Sequence, residues 1–189
     1  MLVEDADGQR SALKFLKKVQ LNISRDEALK NFKNEFVILK ELNHPNIARI
    51  LDFGYDETLQ KYYFTSELIE GAELHKACEG QPIDVVEKLI VQILRALNYL
   101  HSRGVYHFDI KPQNILVSLE EGVPLTAKII DFGLAALTAP QKRVGSPSFM
   151  SPEMIQGGVL DGRTDIYSMG VVIYQALPGL NPFTAKTPK

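Results

Sequence analysis

The segment Tyr106–Leu116 reads YHFDIKPQNIL, and the segment Ile130–Ala135 reads IDFGLA. Both place oxygen-bearing side chains beside short apolar runs, namely Asp109, Asn114 and Asp131. A hairpin between the two segments would bring these side chains together. Carboxylate and amide oxygens are ligands that Mg²⁺ prefers, with water and phosphate completing its shell. An Asx turn would explain any one of these residues alone, but the three together favour a binding site.

The residues between these segments have the pattern of an antiparallel hairpin. Apolar runs at residues 115–118 and 128–130 flank a turn that holds Gly122 and Pro124. We therefore predict two short strands joined at that turn.

The chain up to about Ile69 is predicted to be rich in strands. Residues 11–16 alternate so that Lys14 lies on one face of a strand. Two further strands are predicted at residues 47–53 and 62–68.

One helix is predicted within this first part. Ser24 and Glu27 form a capping box that opens a helix reaching about Leu42. Glu35 falls on the same stripe of this helix as apolar residues. Because a buried carboxylate needs a partner, Lys14 is the obvious one.

Beyond Gly71 the pattern becomes helical. Asp84 is a predicted N-cap, and Gly104 ends that helix. Residues 166–177 are apolar on nearly every side, which predicts a helix buried all round. We expect an α+β protein with a sheet-rich lobe over residues 1–69 and a helical lobe over residues 70–189.

Composition excludes several classes of function. The formal charge is −2, from 21 Lys and Arg against 23 Asp and Glu, so broad attraction to nucleic acid or anionic lipid is not expected. No apolar run approaches the ~18 residues of a membrane span, and we expect a cytoplasmic location. The single cysteine, Cys78, is interpreted as structural. His44, His75 and His101 show no convergent partners, which favours surface or capping roles.

The two decisive segments resemble the catalytic loop and the Asp-Phe-Gly segment of eukaryotic-like (Hanks-type) serine/threonine protein kinases. The resemblance implies that Asp109 is the catalytic base and that Lys111 neutralises the transferring phosphoryl group. It implies that Asn114 and Asp131 hold the Mg²⁺ ions that bridge the ATP phosphates. The pair Lys111-Pro112 is similar to serine/threonine kinases and unlike tyrosine kinases.

The resemblance also implies a nucleotide site. Lys14 would contact the α and β phosphates and pair with Glu35. The segment Tyr63–Gly71 looks like the family's hinge, with main-chain groups of Glu67 and Ile69 reading adenine. Leu116 would form the floor of the adenine pocket.

Two features depart from the family. Phe108 replaces the arginine that usually grips a phosphate on the activation segment, which argues against switching by that route. The glycine-rich loop, the first strand and the last helices are expected to lie outside this chain. Those helices carry the arginine that pairs with the glutamate at Glu153, so we expect an unpaired carboxylate and poor stability.

The resemblance implies a two-lobed protein kinase fold, with an antiparallel-sheet N-lobe lacking its first strand and a mainly helical C-lobe lacking its last helices. The expected activity is transfer of the γ-phosphoryl group of Mg-ATP to protein serine or threonine. The alternative is a weak or inactive kinase-fold fragment that binds nucleotide or a partner. A small-molecule phosphotransferase of related fold is a third reading, disfavoured by the Ser151-Pro152-Glu153 segment. Regulatory domains could be fused to the chain in a longer parent.

Overall fold

The computed structural model describes residues 1–4, 8, 10–15, 36–131 and 146–177. The chain divides into two units, Met1–Ile69 and Glu70–Lys189. The division falls where the sequence changes from strand-like to helix-like patterns.

The first unit is built on a four-stranded antiparallel sheet with the order β1-β2-β4-β3. Its strands are β1 (Leu2–Glu4), β2 (Arg10–Phe15), β3 (Ile50–Asp56) and β4 (Lys61–Glu67). The strands predicted at 11–16, 47–53 and 62–68 correspond to β2, β3 and β4.

A short described stretch of helix, α1 (residues 36–40), contributes to the core of this unit. Phe36 and Leu39 are buried, and the ring of Phe36 lies 4.7 Å from that of Phe53 on β3. The capping box at Ser24 lies outside the described residues. The helix therefore agrees with the prediction only at its C-terminal end.

The second unit combines a small sheet with helices. Its strands, β5 (Ala72–Glu73), β6 (Ile115–Glu120) and β7 (Val123–Ile129), pair antiparallel in that order. Its helices are α2 (Leu74–Cys78), α3 (Ile83–His101), α4 (Pro152–Gln156) and α5 (Gly162–Ala176), with 3-10 turns at Pro112–Asn114 and Pro147–Phe149.

Helix α3 is the amphipathic helix that the sequence predicts, with a different start. Pro82 is the N-cap residue, and Asp84 lies in the first turn, so the prediction of Asp84 as N-cap is wrong. A carboxylate in the first turn still stabilises the helix, because the N-terminal end of the helix dipole is positive. Leu89, Ile93 and Leu97 are buried along one face.

The hairpin of β6 and β7 has a tighter turn than predicted. Glu121 and Gly122 form it, both with positive φ, at 51° and 81°. Two positive φ values match the twist of a two-residue hairpin, and proline cannot adopt them. Pro124 therefore lies in the edge strand β7, paired with Leu119.

Helix α5 begins earlier and is less buried than predicted. Asp161 caps it, accepting a hydrogen bond from the Arg163 amide at 2.9 Å. Ile166 and Tyr174 are 50% and 52% exposed, so the expectation of burial all round is wrong. The helix has a buried face and an exposed face. The sequence pattern does not show this, because Asp165, Ser168 and other small polar residues lie on the buried face.

Cys78 is a buried free thiol, and burial raises its pKa, in agreement with a structural role.

Among the described residues, no helix combines the length and the apolar character that crossing a bilayer requires.

Candidate active site

The loop between α3 and β6 gathers three of the predicted site residues. Lys111 Nζ lies 2.6 Å from Asp109 Oδ2, and Asn114 Nδ2 donates to the same oxygen at 3.1 Å. Asn114 Nδ2 also donates to the main-chain carbonyl of Asp109 at 2.8 Å. No donor in the described part of the chain contacts Asp109 Oδ1. This carboxylate is therefore held in place with one oxygen left to accept a proton.

A 3-10 turn brings Asn114 back toward Asp109. Pro112 opens the turn, and the Asn114 amide donates to the Lys111 carbonyl at 2.9 Å. Proline suits this first position because its missing N–H would have no partner there. Asn114 is 3% exposed.

Asp131 is tied to this loop through its neighbour. The Ile130 amide donates to the Asn114 carbonyl at 2.9 Å, which places Asp131 directly after the contact. Asp131 has a φ of 61°, a conformation that aspartate tolerates better than most residues. Residues 132–145, which follow Asp131, lie outside the described part of the chain.

His107 connects the two segments. Its Nδ1 accepts from the Asp109 amide at 3.2 Å, so Nε2 carries the proton and donates to the Ile130 carbonyl at 3.3 Å. With 1% exposure and both nitrogens engaged, this side chain serves as a buried link. That agrees with a packing role and not with a role as base.

A single buried carboxylate on α5 anchors the loop. Asp165 is fully buried and accepts from the amides of His107, at 2.9 Å, and Phe108, at 2.7 Å. His101 Nε2 lies 2.9 Å from Asp165 Oδ2. The expectation that His101 has a surface or capping role is therefore wrong, because its partner lies 64 residues away in sequence. His44, by contrast, caps a turn by accepting from the Asn46 amide at 3.1 Å.

Close approach of α5 to α3 depends on Gly162. A Cβ at this position would lie 2.7 Å from Nδ1 of His101. The absence of a side chain thus lets His101 reach Asp165.

Phe108 has a strained backbone and a packed side chain. Its φ is 56°, which is unfavourable for a bulky residue. The side chain is 8% exposed, and its ring stacks on Tyr106 with centroids 5.5 Å apart. Packing and the hydrogen bond to Asp165 together hold this conformation.

The segment before α5 is fixed by hydroxyl groups. Ser168 Oγ donates to the Phe149 carbonyl at 2.7 Å. Ser151 caps α4, accepting from the Met154 amide at 3.4 Å. The sequence carried a signal for this cap, since serine followed by proline is typical of a helix start.

Glu153 is half-buried and has a partner. Its Oε1 accepts from Thr164 Oγ1 at 2.8 Å. Hydrogen bonding to the Ser151 hydroxyl is the main cause of a lowered pKa for Glu153, with smaller contributions from Thr164 and the Arg163 charge. The expectation of an unpaired carboxylate at this position is therefore wrong.

The remaining predicted residues lie on other elements. Lys14 is on β2 opposite Phe64 of β4, and Glu67 ends β4, with Ile69 two residues on. Leu116 is on β6, paired with Lys128. Glu35 lies outside the described residues, so its pairing with Lys14 stays a prediction.

Comparisons with known proteins point to one family. The family model described as "Protein kinase domain" matches residues 1–189. Serine/threonine-protein kinase pkn3 of Myxococcus xanthus is 36% identical over 174 residues, which cover 85% of this chain and 32% of that protein. Serine/threonine-protein kinase ULK3 of Xenopus laevis is 37% identical over 184 residues, which cover 93% and 38%.

A solved structure, of Rad53 1-466 in complex with AMP-PNP, has a TM-score of 0.74 and 31% identity to the chain. The match covers 95% of this chain and 44% of that one. The chain spans about a third of the length of the curated relatives named above.

Proposed function

The chain belongs to the protein kinase domain family, and on that premise we propose that it transfers the γ-phosphoryl group of ATP to serine or threonine hydroxyls of a protein. The observation that carries the proposal is the cluster of Asp109, Lys111 and Asn114. In phosphoryl transfer the protein contributes mainly positioning and charge, and this cluster offers both.

Asp109 acts as the base. Lys111 and Asn114 donate to its Oδ2, which leaves Oδ1 to accept the proton of the attacking hydroxyl. Lys111 is 22% exposed, so its ammonium group can turn from Asp109 toward the transferring phosphoryl group and neutralise charge there. Asp165 keeps the loop from shifting while this happens, because it holds two successive amides.

The donor set fits Mg²⁺. The Asn114 amide nitrogen is used by Asp109, so its Oδ1 remains for a metal, and no donor in the described ranges contacts that oxygen. The Asp131 carboxylate follows one residue after the contact with Asn114. Both ligands are hard oxygens, as Mg²⁺ requires. The ion would supply charge neutralisation between the ATP phosphates.

The rest of the nucleotide is assigned by family resemblance. Lys14, paired with Glu35, binds the α and β phosphates. The main chain of Glu67 and Ile69 recognises adenine, and Leu116 packs under the base. The solved structure of Rad53 is a complex with AMP-PNP, an ATP analogue, which supports ATP as the donor.

The acceptor is proposed from two features. Lys111-Pro112 is the pair typical of serine/threonine kinases, and several relatives are named as such kinases.

We also propose that the protein works in the cytoplasm and that regulatory domains accompany it in a longer chain.

Substitution of the base tests the proposal. Asp109→Asn should lower kcat for a generic protein substrate by roughly 10²- to 10⁴-fold, the usual contribution of a general base. Binding of Mg-ADP, followed by calorimetry, should be retained. Glu121→Gln in the hairpin turn is the matched control, since it also removes one carboxylate from this unit. Equal activity of Asp109→Asn and the wild-type protein would refute the assignment.

A further inference from the structure

The end of β4 is held by a side chain as well as by its main chain. The Glu67 amide donates to the Arg49 carbonyl at 2.8 Å, as a strand ladder requires. The Arg49 amide donates in turn to Glu67 Oε2 at 3.2 Å. A carboxylate thus replaces the main-chain acceptor that a regular ladder would use there, and residue 67 is fastened at both its amide and its side chain.

The neighbouring part of the β3–β4 ladder is irregular, and a second side chain supplies hydrogen bonds there. The β3–β4 register shifts between Ile50 and Asp52, which leaves Leu51 as the extra residue of a bulge. Thr65 Oγ1 accepts from the Asp52 amide at 3.1 Å and donates to the Asp52 carbonyl at 3.4 Å. The side chains of Thr65 and Glu67 on β4 therefore hydrogen-bond to the main chain on both sides of the bulge in β3. These bonds hold the end of β4, where the chain leaves the sheet.

These contacts have little to do with the core of the unit. Both lie near solvent, and the Glu67 carboxylate lines a cavity of about 360 Å³ with Arg10, Arg49, Leu51 and Leu68. Exposed hydrogen bonds contribute modestly to stability. Their main effect here is directional, because they fix how the main chain leaves β4.

We propose that Glu67 and Thr65 are positioning residues that set the selectivity of this protein for the nucleotide base. The inference rests on the proposed function, in which the main chain of residues 67–69 reads adenine. Adenine presents an amino donor at N6 and an acceptor at N1, whereas guanine presents an acceptor at O6 and a donor at N1. A rigid carbonyl and amide can satisfy only the first pattern, since on guanine like groups would face each other unpaired.

Selectivity then depends on how firmly the segment is held. If the Glu67 contact is lost, peptide groups beyond β4 can rotate to relieve the mismatch with guanine. The same freedom weakens binding of adenine, because well-aligned hydrogen bonds need a narrow range of distance and angle. A loss of anchoring should thus appear in the KM for ATP and in the ratio of ATP to GTP use.

Steady-state kinetics with ATP and with GTP test the proposal. Glu67→Ala should raise the KM for ATP about tenfold, with a smaller change in kcat, and should lower the ratio of kcat/KM for ATP over GTP about tenfold. Glu67→Gln keeps an acceptor for the Arg49 amide and should stay within about threefold of the wild-type ratio. Glu57→Ala, which removes an exposed carboxylate from the β3–β4 turn, is the matched control.

If circular dichroism shows that Glu67→Ala does not fold, variants of Thr65 provide an independent test. Thr65→Val removes the hydroxyl at constant shape, and Thr65→Ser retains it. The valine variant should lose base selectivity, and the serine variant should keep it. Equal ATP-to-GTP ratios in folded wild-type, Glu67→Ala and Thr65→Val proteins would overturn the positioning role. Absence of turnover with both nucleotides in the wild-type protein would overturn the proposed function instead.

Discussion

Phe108 is held by packing, whereas the family's usual arginine at this position is held by charge. Its ring is buried against Tyr106, and its amide is held by Asp165 in a left-handed conformation. An arginine at this position would need an anion nearby, whereas a phenylalanine needs only the ring beneath it. The loop that carries Asp109 is therefore shaped by contacts within its own unit.

Truncation of this ring tests the point. Phe108→Ala should lower the free energy of unfolding by about 3–5 kcal/mol, because it opens a cavity beside a strained backbone. Urea denaturation measures the loss. Phe108→Leu, which refills most of the space, should recover about half of the lost stability.

Phosphatase treatment of the wild-type protein should leave its activity unchanged, because Phe108 cannot bind a phosphate on the activation segment. A large loss of activity on that treatment would contradict this.

Glu153 should make stability depend on pH. Its pKa is lowered in the folded protein, mainly by the Ser151 hydroxyl, so ionised Glu153 stabilises the fold above the pKa of the unfolded chain. That contribution is lost as the pH falls through the lowered value. Ser151→Ala should therefore destabilise the protein more at about pH 7 than at about pH 3, leaving only the lost helix cap at acid pH.

Urea denaturation at the two pH values measures this difference. Since Glu153 is partly exposed, the pH-dependent part should be small. Thr164→Val removes the hydroxyl that donates to Glu153 Oε1 at 2.8 Å but contributes less to its lowered pKa, so it should change the pH dependence less than Ser151→Ala does. A destabilisation by Ser151→Ala that is independent of pH would show that the hydroxyl acts as a cap alone.

Single residues differed in how well the sequence predicted them. Asp109, Lys111 and Asn114 are close in sequence and form a motif, and the structure brings them together. The partnership of His101 with Asp165 joins two helices that are far apart in the chain, so no local pattern could reveal it. The motif around Ser151 indicated the family, but not the role of this serine as a cap.

Two glycines of α5 make the packing of that helix testable. A Cβ at Gly162 would press on His101, whereas a Cβ at Gly170 would meet nothing within 4 Å. Gly162→Ala should therefore destabilise the protein by about 1–3 kcal/mol, the usual cost of overpacking. Gly170→Ala should stabilise it by roughly 0.5–1 kcal/mol, through helix propensity.

Thermal unfolding of the two variants measures these opposite effects. His101→Ala in the Gly162→Ala background should relieve the crowding, so the two substitutions should not be additive. Destabilisation of equal size by both glycine substitutions would show that His101 does not limit the approach of α5.

Elements were predicted well where one periodicity dominated. The stripe of α3 and the alternation of β2 indicated the right element type because one face of each is apolar. The sequence predicts Pro124 in the hairpin turn, but the structure places it in the edge strand β7, because an edge strand tolerates proline. The start of α5 was missed because Asp161 caps a first turn that is polar.

At the scale of the whole molecule, nucleotide binding should raise thermal stability. Mg-ADP at about 100 times its Kd should stabilise the protein by about 2.7 kcal/mol, which for a chain of this size raises Tm by roughly 5–10 °C. EDTA should remove most of the shift, since Asn114 and Asp131 are proposed to act through the metal. Differential scanning fluorimetry measures both effects, and an unchanged shift in EDTA would contradict the metal assignment.

The α+β class and the change of character near residue 70 could be predicted because strand and helix patterns follow one another along the chain. Burial along α5 could not, because a helix rich in apolar residues on two faces gives no sign of which face stays exposed.

The anchoring of the loop by Asp165 bears on how the protein is made. The carboxylate that receives the amides of His107 and Phe108 is encoded 58 and 57 residues downstream of them. On the ribosome, the segment that carries Asp109 emerges well before its support does. In a nascent chain halted before residue 165 the loop would lack the carboxylate that holds it, so we expect the loop to take its folded shape only after α5 leaves the exit tunnel.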